Sequence, residues 1–193
     1  MQARGQFMQA ACEAVPGTMI SVIGLDRARL ETICKQSGAE IANINSPVQI
    51  VLSGTVDSID RAEPLINEAG ARRAIRLNVA GAFHSSLMTP AAEKLEEFLC
   101  DIDLSSPTLP VFSNVTGEPH GGPEDIKDLM VEQVNSSVQW VKTIENMAAM
   151  GVDTYIECGP GKVLTGLVKR IDKPSAKINI FDIASLESAL ESI

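Results

Sequence analysis

The stretch Thr18-Met19-Ile20-Ser21-Val22-Ile23-Gly24-Leu25-Asp26 decides how the first half of the chain is interpreted. Residues 19–23 are mainly large apolar side chains and predict a strand. Asp26 is a favourable N-cap for a helix that would run to Ser37 and end at Gly38. A strand followed at once by a capped helix is the start of an α/β unit. The segments that follow indicate which kind of sheet this strand belongs to.

The segments up to residue 79 continue this alternation of strand and helix patterns. They predict a strand at 41–44, a turn at 45–47, a hairpin strand at 48–53, a helix at 57–69 and a last strand at 74–79. The order βαββαβ matches the ferredoxin-like unit, which we therefore expect over residues 17–79. Because that fold hosts many functions, it says little about chemistry.

Strand and helix patterns also alternate after residue 80. They predict helices at 90–100, 123–134 and 137–150, a buried strand at 109–115, a short strand at 153–157, and a final helix that reaches Arg170. The residues beyond Arg170 are expected to form a partly ordered tail. Alternating strands and helices imply a parallel α/β layer, with the βαββαβ unit inserted ahead of it.

Composition narrows the class of protein. The 193 residues carry a net charge of −9, which argues against nucleic acid or an anionic membrane as the main partner. Four cysteines (Cys12, Cys34, Cys100 and Cys158) lie far apart and are expected to be free thiols, with no metal site. No apolar run is long enough to span a membrane, and no targeting peptide is evident. We therefore expect a cytoplasmic protein.

One of the two histidines lies in Gly81-Ala82-Phe83-His84-Ser85-Ser86-Leu87-Met88, between an apolar run and an amphipathic helix pattern. A histidine at such a sheet edge can act as a general base near neutral pH. A purely local hydrogen-bonding role is equally consistent with this octapeptide. The other histidine, His120, is predicted to be exposed and without a role, and Arg4 alone would be a solvated helix residue.

A nucleophile for such a base is not evident. The Gly-x-Ser-x-Gly elbow is absent, Ser85 and Ser86 are expected to cap the following helix, and Cys158 is more typical of a structural thiol than of a nucleophile. Gly159-Pro160-Gly161 lacks the residues of a phosphate-binding loop and predicts a tight strand-to-helix turn.

Five short motifs then occur in one order along the chain. They are Arg4-Gly5-Gln6-Phe7-Met8-Gln9, Asn45-Ser46-Pro47 with Gln49-Ile50-Val51-Leu52-Ser53-Gly54, Gly81-Ala82-Phe83-His84-Ser85, Pro110-Val111-Phe112-Ser113-Asn114-Val115 and Gly159-Pro160-Gly161-Lys162-Val163-Leu164. Together they resemble malonyl-CoA:acyl carrier protein transacylase of fatty-acid synthesis and the related acyltransferase domains of polyketide synthases. The similarity extends to about Asp172.

The resemblance implies a serine–histidine acyltransferase that moves a malonyl group from malonyl-CoA to the phosphopantetheine thiol of acyl carrier protein, without a cofactor. His84 matches the family's catalytic base, and Gln133 matches the residue whose backbone carbonyl orients it. Arg4 matches the arginine that binds the malonyl carboxylate, for which a guanidinium offers two parallel donors. Phe83 resembles the malonyl-type pattern, and Asn45, within the second motif, is expected at the substrate.

The resemblance also implies a segment that this sequence does not contain. The family's N-terminal third carries a Gly-His-Ser-x-Gly elbow and a Gly-Gln-Gly oxyanion segment. We therefore expect the C-terminal two-thirds of a transacylase, with residues 1–16 and 80–193 in a partial α/β-hydrolase-like core and 17–79 as the inserted subdomain. Losing the serine costs on the order of a millionfold in comparable hydrolases, so the chain alone should not turn over. An apolar sheet face should also be left uncovered.

Other interpretations remain open from the sequence. The chain could be a non-catalytic module derived from a transacylase, a polyketide-synthase-type fragment, or a ferredoxin-like domain with an unrelated tail, which would unfold in two transitions. Acyl carrier proteins are acidic, so docking would need a basic patch. The candidates are Arg72, Arg73, Arg76, Lys162, Lys169 and Arg170.

Overall fold

The structure, a computed structural model, describes residues 1–191, in which eight α-helices and six strands occur. The helices are α1 (Gln2–Ala14), α2 (Arg27–Ser37), α3 (Val56–Glu68), α4 (Thr89–Cys100), α5 (Pro123–Asn135), α6 (Trp140–Ala149), α7 (Val163–Ile171) and α8 (Ile183–Leu190). The strands are β1 (Gly17–Ile23), β2 (Glu40–Ser46), β3 (Gln49–Thr55), β4 (Arg73–Arg76), β5 (Thr154–Cys158) and β6 (Ala176–Ile180). A short 3₁₀ helix, Ser86–Met88, precedes α4.

The first four strands form one antiparallel sheet in the order β2-β3-β1-β4. Helices α2 and α3 cover one face, with a core of residues from both helices and from β1 and β3 that includes Ile20, Leu30, Leu52 and Ile59. The predicted N-cap is confirmed, because the Asp26 carboxylate accepts a hydrogen bond from the backbone of α2 at 2.8 Å. The βαββαβ order expected from the sequence is therefore the order observed.

The opposite face of this sheet packs on the rest of the molecule. Met19, Ala42 and Val51 form a small buried cluster there, against which Phe83 packs. Phe83 also packs on a second core made by α1, α4 and α5, with Leu95 among its buried members. One phenyl ring thus links the four-stranded sheet to the helical layer.

The α5–α6 connection adjoins the outer edge of β2. Val138 donates a backbone hydrogen bond to Ala42 and accepts one from Ile44, at 2.8 and 2.9 Å. The helix predicted from residue 137 therefore begins only at Trp140. Tertiary pairing with an edge strand takes precedence here over the local helical pattern.

The strand predicted at 109–115 is wrong. Phe112 makes only an isolated bridge to Pro119, and residues 113–117 form a turn closed by the Gly117 N–H bonding to the Ser113 carbonyl at 2.8 Å. Leu109 is 75% exposed. An apolar run becomes a strand only beside a partner, and no strand of the described residues lies next to this one.

The expectation of a partly ordered tail is also wrong for most of its length. Residues 176–180 form β6, which pairs in parallel with β5, and α8 follows with a capping box between Asp182 and Ser185. The two strands are parallel, and α7 connects them. Residues 192 and 193 lie outside the described part of the chain.

Candidate active site

His84 occupies an unusual backbone conformation at the entrance to the 3₁₀ helix. Its φ is 57°, and it is the one non-glycine residue with positive φ among residues 1–191. Left-handed geometry in such a residue costs free energy and is retained where the surroundings enforce it. The turn is closed internally by Ser85, whose buried hydroxyl donates to the Ala82 carbonyl at 2.7 Å. The hydroxyl expected to cap a helix therefore closes a turn instead.

Gln133, near the end of α5, contacts this histidine through its main chain. The distance from His84 Nδ1 to the Gln133 carbonyl oxygen is 3.0 Å. Because a carbonyl oxygen can only accept, Nδ1 must carry the proton and donate this hydrogen bond. The lone pair of the neutral ring is then on Nε2. The carbonyl is among the last of a helix, where no amide within the helix takes it up. The ring is therefore held in the tautomer that a base requires.

The His84 ring sits in an environment that keeps it neutral. Burial lowers its pKa below the usual histidine value, the Gln133 carbonyl opposes this by raising it, and the positive charge of Arg4 lowers it further. Arg4 lies on α1, close enough for its charge to act on the ring. An imidazole that is neutral at physiological pH can accept a proton.

The Arg4 side chain has an unused donor. Its Nε is buried and has no hydrogen-bond partner among the described residues. A buried unpaired donor costs free energy, whereas an anionic ligand would satisfy it. Since this donor belongs to a cation beside a neutral base, the pair suits an anionic substrate that must give up or receive a proton.

The remaining predicted site residues, Phe83 and Asn45, differ in their contacts. Phe83 precedes His84 and packs into both neighbouring cores. Asn45 is half-buried near the end of β2. No hydrogen bond joins Asn45 to His84 in the part of the chain that the structure describes. The structure therefore brings His84, Gln133 and Arg4 together, and leaves Asn45 on a neighbouring strand.

Two other sequence expectations can be compared with the structure. The His120 side chain is only 11% exposed and lies 3.7 Å from an Asp125 oxygen, so the expectation that it is exposed is wrong.

The N-terminus of α7 is occupied by Glu157, whose carboxylate accepts from the Thr165 N–H at 2.8 Å and its hydroxyl at 2.5 Å. These bonds, that of the hydroxyl first, lower the Glu157 pKa. The Gly159–Gly161 loop is thus a turn between β5 and α7, and the Glu157 carboxylate already occupies the free N–H groups at the start of that helix.

One cavity lies away from His84 and Arg4. It measures about 290 Å³, between α6, β5 and α7, and is lined mainly by apolar side chains, including Trp140, Ile156 and Leu164. Neither His84 nor Arg4 lines it. It contains no paired acid and base and no positioned nucleophile, so we assign the chemistry to the His84 region. We interpret the cavity as an apolar surface that no other element of the described residues covers.

The sequence did not reveal how the histidine turn is attached to the sheet. Glu40, the first residue of β2, accepts hydrogen bonds from the backbone and hydroxyl of Ser86. These partners are 46 positions apart, so no local pattern could connect them. The one sequence feature that could have indicated this contact was the carboxylate of Glu40 at the start of a predicted strand.

The fold and site define an α/β protein with an oriented, neutral histidine next to a cationic side chain. Comparison with known families agrees with this class, because residues 1–184 match the acyl transferase domain. The chain belongs to the acyl transferase domain family.

Its relatives are transacylases that are longer than this chain. The Bacillus subtilis malonyl CoA-acyl carrier protein transacylase is 41% identical over 195 residues, covering 98% of this chain and 62% of that protein. The crystal structure of malonyl-CoA:acyl carrier protein transacylase from Xanthomonas oryzae is 39% identical with a TM-score of 0.95, covering 99% of this chain and 62% of that one. A malonyl-transacylase solved in complex with a type II PKS acyl carrier protein is 38% identical, with a TM-score of 0.93 over 98% of this chain and 63% of that chain.

No helix within residues 1–191 is long and apolar enough to cross a bilayer. The same residues contain no cluster of three or more His, Cys, Asp or Glu side chains that could bind a metal ion.

Proposed function

We propose that this chain forms most of the body of an enzyme that transfers a malonyl group from malonyl-CoA to the phosphopantetheine thiol of acyl carrier protein. The reaction would proceed through an acyl-enzyme on a serine, with no cofactor beyond the two substrates. Membership of the acyl transferase family and the names of relatives about 40% identical support this reaction. The proposal includes a cytoplasmic location.

The observation that carries the proposal is the 3.0 Å contact between His84 Nδ1 and the Gln133 carbonyl, beside the unpaired Arg4 donor. With Nδ1–H engaged, Nε2 accepts the serine proton as the hydroxyl attacks the thioester carbonyl. The coenzyme A thiolate then leaves with that proton. In the second half-reaction Nε2 takes the proton of the phosphopantetheine thiol as its sulfur attacks the serine ester, and returns that proton to the serine oxygen as the acyl–oxygen bond breaks. Arg4 would bind the malonyl carboxylate in both halves.

Phe83 and Asn45 are proposed to line the acyl site. Phe83 lies in the same turn as His84 and packs against two cores, so its ring would present a fixed apolar wall to the acyl group. Asn45 has an amide that can both donate and accept, which suits the polar end of a thioester substrate.

We propose that residues 17–79 are a ferredoxin-like subdomain and that residues 1–16 and 80–193 belong to an α/β-hydrolase-like core. The antiparallel order β2-β3-β1-β4 with two helices on one face supports the first assignment. The parallel pair of β5 and β6 joined through α7 supports the second.

The serine nucleophile is proposed to lie in the part of the family that this chain does not cover. The chain spans 62% of the Bacillus subtilis relative. Within it, Ser85 is buried and bonded to Ala82, and Cys158 is exposed at the end of β5. Neither side chain is paired with the His84 ring.

Intact-mass measurement tests the reaction. The chain alone should gain no malonyl group from malonyl-CoA. Co-expressed with the unmatched segment of the Bacillus subtilis relative, the assembled protein should gain one malonyl group, carried by the supplied segment. The His84→Asn variant should reduce the rate of labelling at least a hundredfold, the usual contribution of a general base. A malonyl adduct on Cys158 of the isolated chain would contradict the proposal.

The complex of a related transacylase with a type II PKS carrier protein favours a polyketide carrier as the second candidate acceptor. Two of the basic residues considered for docking already have side-chain partners within the chain. Arg76 is paired with Asp60 and Glu63, and Arg170 bonds to Gln49. Docking would then rest on Arg72, Arg73, Lys162 and Lys169.

A further inference from the structure

The edge strand β2 holds both segments that form the His84–Gln133 contact. At its first residue, both carboxylate oxygens of Glu40 accept from the Ser86 N–H at 3.1 Å, and the Ser86 hydroxyl donates at 2.5 Å. Ser86 lies two residues after His84. This carboxylate therefore joins the histidine turn to the four-stranded sheet.

The same strand holds the segment that follows Gln133. The Ser137 hydroxyl donates to the Ile41 carbonyl, and Val138 exchanges backbone bonds with residues 42 and 44. Ser137 lies four residues after Gln133. Since consecutive positions on one strand have a fixed spacing, β2 sets the separation between the ring and the carbonyl that orients it.

The His84 turn needs such an anchor. Its left-handed backbone is strained for a histidine. The Ser85–Ala82 bond stabilises the turn internally but does not attach it to any other element. Glu40 supplies the attachment across 46 positions.

We propose that Glu40 is a positioning residue for His84, acting through Ser86 to hold the ring against the Gln133 carbonyl. Glu40 touches neither the ring nor the site of acyl transfer. The inference rests on the proposed role of His84 as the base, but the ring's own geometry can be measured without any activity.

The His84 resonance distinguishes movement of the ring from a loss of charge. Burial and the Arg4 charge lower the His84 pKa, the main chains of Gln133 and Ser136 raise it, and Glu40 is not among these influences. A changed pKa in a Glu40 variant therefore reports displacement of the ring. Because burial is the largest cause, release of the ring should raise the pKa toward about 6.5.

The experiment is NMR titration of the two imidazoles in this chain. A His120→Gln variant assigns His84. Glu40→Ala should raise the His84 pKa and replace its single Nδ1–H tautomer with a mixture, while the His120 signals stay unchanged. Glu40→Gln keeps an acceptor for Ser86 and should retain most of the original state. Glu31→Ala is the control, because Glu31 pairs only with exposed Arg27 yet acts, like Glu40, on the charge state of Cys34.

Three outcomes would overturn the proposal. They are an unchanged His84 pKa and tautomer in Glu40→Ala, an equal change in Glu31→Ala, or a change in both histidines together, which would indicate general loosening. If Glu40→Ala does not fold, Ser86→Ala decides the question, since it removes the hydroxyl bond alone and should move His84 in the same direction by less. Failure of malonyl labelling with a normal His84 response would refute the proposed function and leave the positioning role standing.

Discussion

At the scale of single residues, the site depends on a histidine that the fold keeps neutral, strained and oriented. Each property comes from a different neighbour. Burial lowers the pKa, the Gln133 carbonyl selects the tautomer, and the left-handed turn aims the ring. The same burial has a consequence for stability, because the unfolded chain can protonate this histidine more readily than the folded chain.

The stability of the chain should fall as pH drops below about 6.5. The unfolded imidazole takes up a proton near that value, while the folded imidazole, with its lowered pKa, does not. The unfolded state then binds more protons, so the free energy of unfolding decreases until the folded pKa is passed. Urea denaturation between pH 8 and pH 5 measures this slope.

His84→Asn should flatten the slope just below pH 6.5 while keeping the turn, because asparagine tolerates left-handed backbone geometry. Arg4→Ala should reduce the slope, since the Arg4 charge contributes to the lowered pKa. An unchanged slope in His84→Asn would mean that another group, and not His84, is responsible.

At the scale of elements, close backbone approaches fix how α1 meets the histidine turn. Gly81 faces Cys12 of α1, and a Cβ added at Gly81 would lie 2.3 Å from the Cys12 sulfur. No real side chain tolerates that distance, so this position requires glycine. The sequence pattern identified both elements, but it contained no information that they touch here.

Gly81→Ala should therefore destabilise the chain by about 1–3 kcal/mol, the usual cost of overpacking. Cys12→Ala in the same chain should recover part of this loss, because it removes the sulfur that the new methyl group meets. Gly5→Ala, on α1 with open space around it, is the matched control and should be neutral or stabilising by up to about 1 kcal/mol. Denaturant midpoints measure all three. Equal effects at Gly81 and Gly5 would refute the packing argument.

Local patterns predicted elements well where short-range signals determine them. The caps and stops of the βαββαβ unit were sufficient to place its helices within a residue or two. Residues 109–115 were wrongly predicted as a strand, and 176–190 wrongly as a tail, because both depend on partners. An apolar run bordered by prolines has no strand beside it, whereas β6 forms because β5 is available to pair with it.

At the scale of the whole molecule, the parallel pair is less covered than such strands usually are. Ile156 of β5 is 47% exposed and Leu164 of α7 is 42% exposed, and both line the 290 Å³ cavity. Parallel strands are normally buried on both faces. The chain that carries this apolar surface spans 62% of the length of the Bacillus subtilis relative. We expect it to favour self-association of the isolated chain.

Replacing Ile156 and Leu164 together with serine should lower both the self-association of the chain and its binding of a hydrophobic dye. The change removes two partly exposed apolar side chains that line one cavity. Val48→Thr, at a solitary exposed valine in the β2–β3 turn, is the control and should change neither quantity. Light scattering at several protein concentrations gives the association state. Unchanged association in the double variant would contradict the assigned surface.

The sequence alone determined most of the elements, the family resemblance and the residue types of the site, because periodicity, caps and motifs are local properties of a chain. Only the tertiary structure decided that His84 Nδ1 meets the Gln133 carbonyl across 49 positions, that Glu40 bonds to the histidine turn, and that most of the His120 side chain is covered. Such contacts arise from sheet pairing and helix packing, which bring distant positions together. No short stretch of sequence specifies them.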